Sequence, residues 1–144
     1  MTKKTKTILI DFDGTICQYD GWKGAAVIEG KPNPGAVAAL LKYSTVFELV
    51  IFSTRAGTVE GRDAIELWCS INLPDSLRGL SITNIKRPAI LCIDDRSWLF
   101  DGRWPSVNEI DEFLPYYKEG RVPTITVPLT FTGLLQMVRA LLFK

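Results

Sequence analysis

Apolar strands that alternate with helices along the chain predict an α/β fold, a parallel sheet with helices on both faces in a three-layer, Rossmann-like α/β/α arrangement. Three observations carry that expectation. Apolar runs at residues 8–10, 46–52 and 89–93 read as buried strands, the segments after the first two carry apolar residues at helical spacing, and each run stops abruptly at polar residues. In such sheets the chemistry gathers at the C-terminal ends of the strands, beside the point where strand order reverses. Asp11, Ser53 and Asp94 are the first polar residues after the three runs, so three distant segments should converge on one site.

The first run ends at Asp11 and Asp13, with Gly14 and Thr15 turning the chain. Side chains two apart on an extended segment point the same way, so both carboxylates can face one small volume. Unless the second turns away as the strand ends, they must share a proton or a cation, and a hard divalent ion suits oxygen ligands. Residues 16–31 form a Gly-rich connection too short for an inserted domain. Asn33-Pro34-Gly35 reads as a helix start, Asn33 as cap and Pro34 in the first turn, where its missing N–H costs nothing. Val37, Leu40 and Leu41 give that helix an apolar stripe.

The run at 46–52 leads into Ser53-Thr54-Arg55, and Ala56-Gly57 turns the chain. Residues 59–73 carry Ile65, Trp68 and Cys69 at helical spacing until Pro74 closes the helix. Residues 80–83 suggest a short strand, and 89–93 a further buried one that ends in Asp94-Asp95-Arg96. Residues 98–105 suit a tight turn between short extended pieces. Ser106 and Glu109 form a capping box for a helix with Val107, Ile110, Phe113 and Leu114 on one face, ended by Pro115. Residues 122–127 are a candidate last strand. A C-terminal helix at 129–144 repeats Leu134, Leu135, Val138, Leu141 and Leu142 and is read as docked on the sheet; its length and Arg139 argue against a transmembrane span.

With 144 residues, 47% of them hydrophobic, the chain suits a single domain over 1–144 with a real core. A formal charge of +1 implies no strong general attraction to nucleic acid. Lys3, Lys4 and Lys6 make residues 1–6 a flexible basic N-terminus, and the apolar run behind it is too short for a signal peptide. Histidine is absent, which removes Ser-His-Asp and Cys-His catalysis and the usual zinc sites. Cys17, Cys69 and Cys92 lack Cys-x-x-Cys spacing and read as reduced, buried thiols of a cytoplasmic protein. Cys17 stands near the first motif as a candidate nucleophile without a histidine partner.

Asp11-Phe12-Asp13-Gly14-Thr15 after an apolar strand resembles the first motif of the haloacid dehalogenase-like phosphohydrolases. The resemblance runs to about Trp104, with Ser53 matching the second motif, Lys86 the third and Asp94-Asp95 the fourth. It implies a magnesium-dependent phosphomonoester phosphatase that works through an aspartyl-phosphate intermediate. Phosphate monoesters are dianions, so a carboxylate nucleophile is repelled unless positive charge lies between the two. By resemblance, Mg²⁺ would be held by the Asp11 carboxylate, the Asp13 backbone carbonyl and Asp94, while Asp95 would bind it through water or orient Lys86. Asp11 would attack phosphorus, and Asp13 would give a proton to the leaving oxygen and take one from the hydrolytic water. Ser53 would bond a phosphoryl oxygen, Lys86 would neutralise shared negative charge, and backbone N–H groups near Gly14 would form an anion nest.

Alternatives stand beside these roles. Ser53 could cap the turn, leaving Thr54 as the phosphate contact, and Lys86 could be solvated, leaving Arg87 to bind. Arg55 and Arg96 read as surface or structural residues. Trp22, Trp98 and Trp104 either rim the site and stack on a base or pack at a sheet edge. Relatives usually gain specificity from a cap domain inserted after the first motif or between the second and third. Residues 16–31 allow a flap at most and 56–85 are used by a helix and a strand, so the resemblance implies a capless, open site like those of small bacterial and phage members. That suits a nucleotide or other small phosphate ester, enclosed by a neighbouring copy in a homo-oligomer. A nucleic-acid end phosphatase is the alternative, favoured by the basic N-terminus and opposed by the near-neutral charge. A non-catalytic phosphate- or partner-binding module is a third reading, and no membrane partner is expected.

Overall fold

The computed structural model describes residues 6–124. Four strands, β1 (Thr7–Asp11), β2 (Glu48–Phe52), β3 (Ser81–Thr83) and β4 (Leu91–Ile93), form one sheet in the order β3-β2-β1-β4, and every pair is parallel. Helices α1 (Ala36–Ser44) and α2 (Val59–Asn72) connect β1 to β2 and β2 to β3, and α3 (Val107–Asp111) follows β4. The chain therefore steps outward from β1 to β3 and then returns to the far side of β1. That reversal opens the crevice between the C-terminal ends of β1 and β4, where α/β sheets bind ligands.

Register explains the core. Ile8 lies opposite Leu49, Ile10 opposite Ile51 and Ile51 opposite Ile82, so these side chains share one face. They join Phe12, Leu40 of α1, and Ile65, Trp68 and Cys69 of α2 in a single buried cluster. Phe12 meets Trp68 edge to face with ring centroids 5.0 Å apart, a geometry worth about 0.5–1.5 kcal/mol beyond the area it buries. Leu9 and Val50 point to the opposite face and are each 1% exposed, so the centre of the sheet is covered on both sides.

Several expectations change. The first helix starts at Ala36 behind Gly35, whose φ of +80° makes it a left-handed cap, and Asn33 does not cap it. Asn33 instead turns inward, where its amide satisfies buried carbonyls of the Asp11–Thr15 turn. The strand expected at 89–93 begins at Leu91 and is not buried: Ile90 is 57% and Leu91 53% exposed. Among the described residues β4 pairs with β1 alone, so it is an edge strand of the described sheet.

The turn at 98–105 has no extended pieces that pair; Asp101 accepts from the Arg103 N–H and Arg103 pairs with both Glu109 oxygens at 3.0 Å. The capping box of Ser106 and Glu109 is present, yet α3 stops at Asp111, before Pro115, and Val107, Ile110, Phe113 and Leu114 stay exposed. Residues 122–124 form no strand; the rest of 122–127 and the helix expected at 129–144 lie outside the described residues, as does most of the basic N-terminus. Among the described residues no helix is long and apolar enough to cross a membrane.

Candidate functional site

The turn after β1 is one tight coil. The Phe12 carbonyl accepts from the N–H groups of Thr15, Ile16 and Cys17 at 3.3, 3.1 and 2.9 Å, while Phe12 itself is fully buried. Gly14 holds a φ of +85° in this coil, a conformation that side chains with a Cβ rarely adopt. The coil parts the two acids of the first motif. Asp11 stays at the end of β1, and Asp13 turns to Arg55, whose Nε donates to Asp13 Oδ2 at 2.7 Å. The second carboxylate thus leaves the shared volume.

Its place is taken by the residues after β4. Asp11, Asp94 and Asp95 each offer a carboxylate oxygen, and these oxygens lie within 4.8 Å of one another. Asp94 Oδ1 accepts the Arg96 N–H at 2.7 Å, a local turn that fixes the start of the loop. The Asp95 side chain is 2% exposed, and among the described residues its Oδ2 has no hydrogen-bond partner; Arg96 Nε stands 3.5 Å away without hydrogen-bonding geometry. Burial, reinforced by the charge of Asp94, pushes the Asp11 carboxyl up to about 8. Burial also raises Asp95. Like charges this close favour the protonated forms of Asp11 and Asp95 unless a cation balances them.

The donor set fits a hard divalent cation: among the described residues it offers three carboxylates, no sulfur or nitrogen, and one buried oxygen without a hydrogen-bond partner.

The other expected residues are distributed around this cluster unevenly. Ser53 is buried at the end of β2, and its Oγ accepts the Arg55 N–H at 3.2 Å, so it does cap the short turn at Thr54–Gly57. Thr54 is exposed beside it. Lys86 and Arg87 are exposed in the loop between β3 and β4, and neither makes an ion pair or hydrogen bond among the described residues. Cys17 is poorly suited to act as a nucleophile: burial, with the charge of Asp13, pushes its thiol up to about 12, and its S–H donates to the Gln18 carbonyl. Trp22 lies 4.7 Å over the Arg55 guanidinium, whereas Trp98 stacks with Arg103 and Trp104 with Phe100 in the 98–109 turn.

Sequence reasoning missed the second layer. Asn33 donates to the carbonyls of Gly14 and Thr15 at 3.1 and 2.9 Å, and the Tyr116 hydroxyl donates to the Gly14 carbonyl at 2.7 Å from 102 residues away. Tyr117 accepts from Arg96 at 2.8 Å and packs its ring against Tyr19 and Tyr116. Arg55, read as surface or structural, is buried and structural. Only the Asn33 position beside a Pro-Gly break carried a local signal, and it pointed to the wrong partner.

Fold and site together define an α/β protein with a three-carboxylate cluster at the reversal point of a parallel sheet. Comparison with protein-family models, curated proteins and solved structures finds no match for the chain.

Proposed function

We propose that the protein is a capless, three-layer phosphatase of the haloacid dehalogenase-like type, a magnesium-dependent enzyme that hydrolyses a nucleotide or other small phosphate monoester. The observation that carries this reading is the meeting of Asp11 with Asp94 and Asp95 around an unpartnered buried oxygen, at the place where such sheets bind ligands. Asp11, Asp94 and Asp95 would hold Mg²⁺, together with the Asp13 carbonyl that the motif implies. The ion supplies the positive charge that lets a carboxylate approach a phosphate dianion.

Asp11 attacks phosphorus; the Asp11–phosphorus bond forms as the bond to the leaving oxygen breaks. Asp13 delivers a proton to that oxygen, then takes one from the water that cleaves the aspartyl-phosphate and frees Asp11. Arg55 fixes the direction of the Asp13 carboxylate. Ser53 or Thr54 bonds the phosphoryl oxygens and Lys86 or Arg87 neutralises their charge, whereas the Gly14 N–H expected in an anion nest is already given to the Cys17 carbonyl at 2.8 Å.

A panel of phosphate esters, including nucleoside monophosphates and a terminally phosphorylated oligonucleotide, assayed with and without magnesium, tests the reading. Turnover that needs the ion and vanishes in Asp11→Asn is expected. No turnover on any ester, with Asp11→Asn indistinguishable from the parent, would overturn it. Activity confined to the oligonucleotide and fading steeply with salt would reassign the substrate to a nucleic-acid end.

A further inference from the structure

We infer that Arg55 is a positioning residue that locks the tip of the loop at residues 19–29 onto Asp13, so that the loop and this carboxylate behave as one unit. The catalytic consequence rests on the phosphatase reading; the mechanical claim does not. The base of the loop is closed without Arg55. Gln18 N–H donates to the Lys31 carbonyl at 2.8 Å, Cys17 bridges Pro32, and Trp68 Nε1 donates to the Gly30 carbonyl at 2.7 Å. The two strands of chain approach so closely at Gly30 that a Cβ there would lie 1.9 Å from the Gln18 carbonyl oxygen. A compact surface loop with joined ends results.

Its tip is held differently. The carbonyls of Gly24, Ala25 and Val27 all accept from Arg55 Nη1, at 2.7, 2.9 and 3.0 Å, and the Trp22 ring rests on the same guanidinium. The backbone adds one bond within the tip, Val27 N–H to the Gly24 carbonyl at 3.2 Å. Lys23 pairs with Asp20 and Glu29 at the surface, where such pairs contribute little. Tyr19 meets Tyr117 and Ile28 packs on the core at the two ends of the loop, so among the described residues Arg55 is the main polar tie between the tip and the body of the protein.

Arg55 is suited to the task by burial and shape. It is 2% exposed, and its ion pair is with Asp13. Nε addresses the carboxylate while Nη1 addresses the loop, a division that a planar guanidinium makes and a single ammonium group cannot. Its own backbone is fixed by the Ser53 cap and by Gly61 of α2, where a Cβ would fall 2.0 Å from the Arg55 carbonyl oxygen. The anchor end is thus rigid.

Native-state trypsin digestion reads the lock directly, because the Lys23–Gly24 bond lies in the tip and Lys31 precedes Pro32, which resists the enzyme. Arg55→Lys and Asp13→Asn should both be cut after Lys23 about tenfold faster than the parent, while amide exchange at Gln18 stays as slow. Equal cutting in the parent and both variants would overturn the inference. So would equal loss of Gln18 protection, which would make Arg55 a general support of the fold. If Arg55→Lys does not fold, Asp13→Asn decides alone. In the active enzyme, Arg55→Lys should lower kcat roughly 10- to 100-fold with KM within about twofold; KM rising with kcat unchanged would overturn the link to Asp13. A parent without turnover would sink the phosphatase reading and leave the digestion result standing.

Discussion

The side-chain amide of Asn33 and the hydroxyl of Tyr116, 83 residues apart, meet at 2.8 Å, and both donate to the carbonyl oxygen of Gly14. This pair holds the backbone of the coil that ends β1, and with it the direction in which Asp11 leaves the sheet. Asn33→Ala strips the Thr15 carbonyl of its side-chain donor and removes one from Gly14. The expected loss is about 1–3 kcal/mol, because a buried acceptor without a donor retains its desolvation cost. Tyr116→Phe removes one hydroxyl bond and should cost about 1 kcal/mol. The double variant should lose less than the sum, since each residue is the other's partner. Urea midpoints for the four proteins measure this, and strict additivity would refute the shared network.

Gly14 is constrained from two directions at once. Its φ of +85° disfavours any Cβ, and one built there would stand 2.8 Å from Asp95 Oδ2 and 3.0 Å from Tyr117 Cε1. Gly14→Ala should therefore destabilise the fold by roughly 1–3 kcal/mol and push the Asp95 carboxylate out of place. Thermal unfolding with and without magnesium separates the two effects. The parent should gain melting temperature from the ion, and the variant should gain much less. An equal gain in both would mean that Asp95 does not depend on the space above Gly14.

Burial is the main cause that pushes the thiols of Cys17 and Cys69 up, to about 12 and about 11. At neutral pH almost none of either is thiolate, the form that reacts with alkylating agents. Native protein treated with iodoacetamide should keep both unmodified over a time in which the urea-unfolded chain reacts fully. Rapid native labelling of Cys17 would reopen its candidacy as a nucleophile.

What the sequence disclosed follows from what local pattern encodes. The run at 8–10 marked β1 and its acids, because a strand buried on both faces needs continuous apolar residues, and Ser106 with Glu109 announced α3, because a capping box acts within one turn. The meeting of Asp11 with Asp94 was also legible, since parallel strands align their C-terminal ends. An apolar run does not distinguish a central strand from an edge, so the exposure of β4 was missed. Arg55, Asn33 and Tyr116 act through side chains on backbone carbonyls 18 to 102 residues away, and no periodicity records such bonds. Asp13 followed the alternation rule until the coil began, and there the guanidinium of Arg55 outweighed a second carboxylate as its neighbour.

The position of Asp11 links cation binding to pH. In the metal-free protein its carboxyl, ordinarily near 3.8, is raised to about 8, chiefly by burial and next by Asp94. The folded chain therefore keeps a proton over a range in which the unfolded chain has lost it. Stability of the metal-free protein should fall as pH climbs from about 4 to about 8 and level off above, because there the folded state binds more protons than the unfolded state. Asp95, raised in the same sense, adds to the slope. A divalent cation favours the carboxylate and must displace that proton, so magnesium should raise the melting temperature little at about pH 5 and markedly at about pH 8. Asp11→Asn, which has no proton to lose, should flatten the metal-free profile and blunt the effect of the ion. Melting curves across this range measure both, and a magnesium effect that is the same at every pH would mean that Asp11 is not among the groups the cation meets.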